Sequence, residues 1–223
     1  MTTQPLVSII IRTKNEERWI KLCLDKIFEQ TYKNFEIIIV DNYSTDKTLQ
    51  KIKDYKINKI IKIRKYLPGK AINLGIKNSN GKYIVIISAH CIPTTKKWLN
   101  NFIKSINNKK NIFAGVYGRQ EPMNFSNSND KRDMFLLFGL DRKIQKKDSF
   151  FHNANSCIRR SVWKKFPFNE EISNIEDRLW GQEIIKKGYQ ILYEPNASVF
   201  HFHGVNQNNH QGRLSNIISI VDN

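Results

Sequence analysis

Few cysteines, few acids and no long apolar run set the first limits on this 223-residue chain. No segment approaches the about 18 consecutive apolar residues that a membrane-crossing helix needs. The three cysteines, Cys23, Cys91 and Cys157, are odd in number and widely spaced. They form neither a disulfide framework nor a Cys-x-x-Cys metal site, and they suit a reducing compartment. The opening MTTQPLVSIII has no basic region ahead of an apolar stretch and no small-residue cleavage site. No secretory leader is therefore expected, and the expected localisation is cytoplasmic. Acids are scarce: 20 Asp and Glu stand against 37 Lys and Arg, a net charge of +17. Such a field favours anionic partners, whether nucleic acid, acidic lipid head groups or a phosphorylated small molecule. The densest run, Lys47 to Lys70, holds nine basic residues and one acid, Asp54. Lys, Asn and Ile are abundant throughout, however, and solvated helix faces absorb most of the lysines, so charge alone selects no function.

What is present is an alternation of strands and helices. Leu6–Arg12 is a near-continuous apolar run, as expected of a strand buried on both faces of a parallel sheet. Asn15 is expected to cap the next helix, whose apolar stripe is Ile20, Cys23, Leu24, Ile27 and Phe28. Phe35–Val40 reads as a second buried strand ending at Asp41, with Ser44 or Thr45 opening another helix. Ile60–Arg64 is a short third strand, a helix follows Gly69, and Lys82–Ser88 is a fourth strand, with a helix around Leu99–Ile106 after it. This order predicts an α/β fold, a mostly parallel Rossmann-like sheet flanked by helices with right-handed crossovers. Ligands bind such sheets beyond the C-terminal strand ends, here RTKNEE, DNYSTD and SAHC.

After about residue 112 the pattern loosens. IFAGVYG reads as a strand, Glu121–Asp133 as a polar loop, and KIQKKDSFFHNANS as irregular. Ser173 and Glu176 have capping-box spacing ahead of a helix reaching Gly188, followed by two short strands, QILYE and ASVFHFH. The expected organisation is one domain over 1–223, a nucleotide-binding half at 1–111 and an acceptor-binding half at 112–223. The apolar IISIV near Asn223 has no obvious stop, as expected of a chain that continues.

Glycine is missing where the common nucleotide sites need it. A dinucleotide fold requires G-x-G-x-x-G after the first strand, where this chain has RTKNEE, and Gly81-Lys82 lacks the frame of a phosphate-binding P-loop. The segment VSIIIRTKNEERWIKLCLDKIFEQTYKNFEIIIVDNYSTDKT instead resembles the nucleotide-binding half of family 2 glycosyltransferases with the GT-A nucleotide-diphospho-sugar transferase fold. The usual pattern there is VSIIIPTYNE, a helix, then QTY-x-x-FEIIVVDDGSTDGT. The similarity continues through PGKAINLGIKNSNGKYIVIIS and NIEDRLWGQEIIKKGYQI.

The resemblance implies an inverting transferase that moves a sugar from a nucleotide-sugar donor to a saccharide or lipid-linked acceptor, in building a surface polysaccharide, capsule or lipopolysaccharide. It places Thr13, Asn15 and Glu16 in the loop that meets the donor base and ribose. It puts Asp41 where a base N–H donates, with an Asx-turn at Asn42 and Ser44 as the structural alternative. Lys70 and Asn73 fall where the family approaches base and phosphates. The family's Asp-x-Asp, whose carboxylates hold Mn²⁺ or Mg²⁺, is replaced by Ser88-Ala89-His90. His90 can still ligate a borderline metal, better Mn²⁺ than Mg²⁺, which is similar to the Asp-x-His of polypeptide N-acetylgalactosaminyltransferases. His201 and His203, two apart on one expected strand, are candidate distant ligands. Metal-free catalysis by His90 and nearby lysines is the alternative, and with it a CMP-linked acidic sugar as donor. NIEDRLW matches the family's Glu-Asp motif, giving Asp177 as the base that takes the acceptor's proton and Glu176 as an acceptor contact or cap. Trp180, one turn on, either stacks a sugar ring or packs in the core. The basic surface suits peripheral contact with the anionic inner face of a membrane. From a different class, a non-catalytic or nucleic-acid-binding basic α/β domain fits the charge, but no aromatic and basic residues interleave in an RNA-binding motif.

Overall fold

The apolar runs near the N-terminus become the middle of one sheet. A computed structural model describes residues 4–108 and 113–202, together with Ile220. His203 and the apolar tail other than Ile220 lie outside the described residues. Strands β1 (Val7–Thr13), β2 (Phe35–Asp41), β3 (Lys59–Lys62) and β4 (Tyr83–Ser88) run parallel in the order β3-β2-β1-β4. Successive side chains point to opposite faces, so Ile9 and Ile11 enter one apolar cluster while Ile10 enters the other. That is why the runs are continuous rather than alternating.

Helix α1 (Ile20–Phe28) buries Ile20, Cys23, Leu24 and Ile27. Asn15 does not cap it: its backbone is left-handed (φ 54°) and Trp19 stands at the N-cap without a side-chain bond. The helix expected from Ser44 or Thr45 is one turn, α2 (Thr48–Lys51), and Asp46 accepts the Thr48 N–H at 2.9 Å. Helix α3 (Pro68–Lys77) begins with proline at its first position and lies close on the sheet. A Cβ on its Gly75 would stand 2.6 Å from Ile10 Cγ2. Helix α4 (Trp98–Ile106) buries Trp98, Leu99, Phe102 and Ile106.

The second half continues the same sheet with mixed directions. Its strands are β5 (Cys91–Pro93), β6 (Phe113–Pro122), β7 (Lys143–Gln145), β8 (Asn155–Arg159) and β9 (Gln190–His201). The nine-stranded order is β3-β2-β1-β4-β8-β6-β9-β5, with β7 also on β9. β8 is antiparallel to both β4 and β6, β6 and β9 are parallel, and β5 and β7 are antiparallel to β9. The predominantly parallel arrangement thus describes the first four strands.

Three local expectations for this half are corrected. The two strands QILYE and ASVFHFH are one strand, β9, and a register shift opposite Gly118–Gln120 accommodates Pro195 and Asn196. The polar stretch Glu121–Asp133 holds the end of β6 and the start of α5 (Ser128–Leu137), because Asn127 caps that helix by accepting the Asp130 N–H at 2.9 Å. The same Asn and Asp that read as loop are the cap. The irregular stretch contains β7 and leads into β8, after which come the short α6 (Arg160–Trp163) and α7 (Glu176–Lys186). Among the described residues, no helix is long and apolar enough to cross a membrane.

Candidate active site

Thr13, Asp41 and Ser88 end β1, β2 and β4, and their loops line the same edge of the sheet. The first two loops are bonded to one another. Asn15 N–H donates to Ser44 Oγ (3.0 Å), Thr45 N–H to Asn15 Oδ1 (2.8 Å), Glu16 N–H to Thr48 Oγ1 (2.7 Å) and Glu17 N–H to Asp46 Oδ2 (3.0 Å). Asp41 is fully buried and accepts both the N–H and the hydroxyl of Ser44, at 3.0 and 2.5 Å. Its carboxylate therefore forms the turn that was the structural alternative. Thr13 is buried with its hydroxyl unpartnered.

Two expected ligand contacts belong to the interior. Asn73 is buried; its amide donates to Phe168 O (2.8 Å) and Glu170 Oε1 (2.9 Å) and accepts from Trp163 Nε1 (2.8 Å). It ties α3 to the segment after α6 and offers nothing toward a nucleotide. Trp180 is also buried, donates to Phe166 O at 2.9 Å, and packs on Phe151 and Phe168 with ring centroids 4.9 and 5.4 Å away. It is a core residue, so the sugar-stacking expectation is corrected. Lys70 stands half-buried in the first turn of α3, near Glu170.

Beyond β4 the chain turns at Ala89-His90 into β5. Ser88 N–H donates to Ala154 O and Ala89 N–H to Arg12 O, at 3.2 and 3.3 Å, which fixes the turn against β1 and β8. β5 pairs with the end of β9, and His90 stacks on His201 with centroids 5.1 Å apart and rings 5° from parallel. The ligand atoms of His90, Cys91 and His201 lie within 4.8 Å of one another.

The tautomers follow from the partners. Glu16 Oε1 lies 2.7 Å from His90 Nδ1; a carboxylate accepts, so His90 carries its proton on Nδ1. His152 Nδ1 accepts the Ala154 N–H at 3.3 Å, so the Gln120 Nε2 that approaches it at 3.0 Å donates. That orients Gln120 Oε1 toward His201 Nδ1, 2.7 Å away, and His201 is protonated on Nδ1 as well. Each ring thus presents Nε2 as its lone-pair nitrogen, the arrangement in which an acceptor behind the ring sets a metal-ligating histidine. Burial, then Cys23 and Glu16, push the Cys91 thiol well up, so without a cation it stays protonated and the imidazoles are the readier donors. Two imidazole ligands suit Mn²⁺ and other borderline cations and suit Mg²⁺ poorly.

On the opposite wall, α7 supplies two carboxylates. The expected capping box does not form. Ser173 Oγ only receives the Asn174 amide, and Ile175 occupies the N-cap in the left-handed region (φ 56°, ψ 22°) with no side-chain cap. A β-branched residue held there costs about 1–3 kcal/mol. Glu176 turns inward, bonded to Arg12 Nη1 (3.5 Å) and Asn153 Nδ2 (3.3 Å). Burial and then the neighbouring Asp177 charge, opposed by Arg12, push its pKa up to about 7. Asp177 is half-exposed and accepts the Asn153 N–H at 3.0 Å. Arg12, Gln120, His152 and Asn153 were not anticipated; the one available signal was Arg12, a cation closing an otherwise apolar strand.

The sequence matches the family model "Glycosyl transferase family 2" over residues 8–166. It is 32% identical to a Methanococcus voltae dolichyl N-acetyl-alpha-D-glucosaminyl phosphate 3-beta-D-2,3-diacetamido-2,3-dideoxy-beta-D-glucuronosyltransferase, over 85% of this chain and 64% of that protein. It is 28% identical to an uncharacterized glycosyltransferase of Haemophilus influenzae, over 92% of this chain and 68% of that one. In fold it is similar to a Pyrobaculum calidifontis mannosyltransferase solved with GDP-Man and Mn²⁺, at a TM-score of 0.74 and 17% identity, covering 100% of this chain and 66% of that one. S. aureus TarS with UDP-GlcNAc superposes at a TM-score of 0.71 and 20% identity, over 88% of this chain and 58% of that one. These likenesses establish a GT-A fold. The chain spans less than two thirds of the methanococcal relative and of TarS.

Proposed function

The chain belongs to glycosyl transferase family 2, and on that premise we propose that it transfers a sugar from a nucleotide-sugar donor to a saccharide acceptor with inversion at the anomeric carbon. Residues 1–111 bind the donor and 112–223 the acceptor. The observation that carries the reading is the link between Asp177 and the strand ends. Its carboxylate is bonded to Asn153, whose carbonyl accepts from Arg12 Nη2 at 3.5 Å, and Arg12 pairs with Ser88 in the sheet. Asp177 takes the acceptor hydroxyl's proton as the bond to the anomeric carbon forms and the donor phosphate departs. Glu176 and Arg12 hold Asn153 and so orient that carboxylate. With Asp177 as base and Glu176 buried against Arg12 and Asn153 rather than offered as a nucleophile, the reaction is a direct displacement and hence inverts.

His90 and His201 would hold a divalent cation, with Glu16 and Gln120 fixing the rings. The cation's contribution when bound is to offset the charge that develops on the leaving diphosphate. The methanococcal relative's name specifies a dolichyl-phosphate-linked acceptor, and a lipid-linked saccharide of a surface polysaccharide is the acceptor class proposed here. Cytoplasmic residence with peripheral attachment to the inner membrane face follows from that acceptor.

Thermal shift against UDP, dTDP, GDP, CDP and CMP, each with Mn²⁺ and with EDTA, tests the donor half. A ligand at 100 times its Kd adds about 2.7 kcal/mol, or roughly 5–11 °C for a chain of this size. The expected result is a shift with one diphosphate, larger in Mn²⁺, whose metal-dependent part His201→Ala removes. An equal shift with CMP in EDTA would instead favour the metal-free alternative.

A further inference from the structure

Helix α5 turns an unusual face to solvent. Asp130, Met134 and Phe138 recur every four residues and are buried beneath it. Phe135, Leu136 and Leu137 project outward from the same turn, Leu136 at 77% exposure; Leu140 is 73% exposed just beyond the helix, and Ile144 is half-exposed on β7. Five of the eleven exposed large apolar side chains among the described residues therefore fall within residues 135–144. A soluble surface rarely concentrates them so.

The next residues supply cations. Arg142 pairs with Glu194 at 3.2 Å, while Lys143, Lys146 and Lys147 are exposed and form no ion pair among the described residues. At the other end, the loop into α5 carries the exposed Phe125 to the first active-site loop. There it stacks on Trp19 at 6.1 Å under the Arg18 guanidinium. An apolar stretch of chain bordered by lysines thus begins at the rim of the site.

We propose that the α5–β7 face docks on an anionic membrane. Its apolar side chains enter the boundary between head groups and acyl chains, and the three lysines meet lipid phosphates. Unpaired lysines beside leucines favour this occupant over an apolar protein surface, which would bury those charges without partners. Docking in this way holds the Phe125 end of α5 next to a lipid-linked acceptor. The proposal rests on the acceptor class given above, but its test reads membrane binding without catalysis.

The full chain is sedimented with vesicles of phosphatidylcholine alone, or mixed with phosphatidylglycerol. Binding is expected to the mixed vesicles only, and to weaken with salt. Each lysine near the surface contributes roughly fivefold in partition, so Lys146→Glu with Lys147→Glu lowers binding by at least about 25-fold. Leu136→Asp with Leu140→Asp abolishes it. Both double variants keep the wild-type Tm and nucleotide shift. Absent binding by the wild type, or binding indifferent to these changes, overturns the proposal, as does self-association that Leu136→Asp dissolves, which would assign the face to a second copy. A chain that shows the nucleotide shift yet ignores vesicles loses this proposal alone. One that binds vesicles through this face without a nucleotide shift retains it, and the transferase reading fails instead.

Discussion

The two sides of the candidate site are built on different principles. On the β1–β2 side, polar side chains bond the backbone of the facing loop or one another: Ser44 with the Asn15 N–H, Asn15 with the Thr45 N–H, Asp46 with the Glu17 N–H, Asp41 with the Ser44 hydroxyl. On the β8–β9–α7 side, ionisable groups are held in less settled states. Glu176 is buried with a raised pKa, His201 is oriented toward His90, and Ile175 is strained ahead of both carboxylates. The first wall is a shaped surface, preorganised by its own hydrogen bonds. The second carries Glu176, whose proton can change near neutral pH, and the imidazole of a candidate ligand pair. The parallel half supplies most of the shape and the mixed half most of the ionisable groups, with His90 and Glu16 reaching across from the parallel half.

The largest effect that tests this division is on the base. Asp177→Asn keeps an oxygen for the Asn153 N–H but cannot take a proton, and should lower kcat by about 10²–10⁴-fold while the nucleotide shift persists. An unchanged rate would remove the base from α7 and erase the contrast.

Glu176 follows. Its folded pKa, about 7, lies above the ordinary 4.5 because it is buried beside Asp177. Between those pH values the folded protein holds a proton that the unfolded chain releases, so stability falls as pH rises through that window. Glu176→Gln should remove a loss on the order of 2–3 kcal/mol, seen as a Tm that no longer drops between pH 5 and pH 7.5. If both proteins show the same pH profile, Glu176 is an ordinary ionised carboxylate.

The parallel half was legible because its signals are local. Buried strands such as Phe35–Asp41 and the α1 stripe depend on nearest neighbours in sequence, and their boundaries moved by a residue or two. Of the candidate site residues, His90 and His201 are stacked beyond β4 and Asp177 is bonded to Asn153 on the far side. What was not legible depends on partners far along the chain. Asn73 was expected at a ligand, but Trp163 and Phe168 claim its amide from about ninety residues away. Trp180 was ambiguous until Phe151 and Phe168 enclosed it. Gln120 and His152 carry no local sign of their role, because β6–β9 pairing brings Gln120 to His201 and β6–β8 pairing brings His152 to Gln120.

The histidine pair gives a medium effect. Glu16→Gln replaces a carboxylate with an amide behind His90 and should weaken Mn²⁺ binding by about 10–100-fold, measured by titration calorimetry with the diphosphate present. An affinity that does not move would mean that the Glu16–His90 bond serves the loop rather than the ion.

The smallest effect sharpens the contrast most, because it probes the settled wall. Asn15 sits at φ 54° and its Oδ1 receives the Thr45 N–H. Asn15→Gly keeps that backbone without strain and loses the exposed bond with Thr45, whose N–H and hydroxyl both reach Oδ1, a cost of about 1 kcal/mol. Asn15→Ala loses the same bond and adds roughly 1 kcal/mol for a Cβ in the left-handed region. If this wall is a scaffold, the two variants should differ in Tm by about 2–4 °C and shift alike with the donor nucleotide, since the loop keeps its remaining bonds through Glu16 and Glu17. If Asn15→Gly instead kept its Tm and lost the nucleotide shift, the Asn15 amide would be a donor contact. The polar network between the two loops would then be a binding site at rest rather than a finished surface.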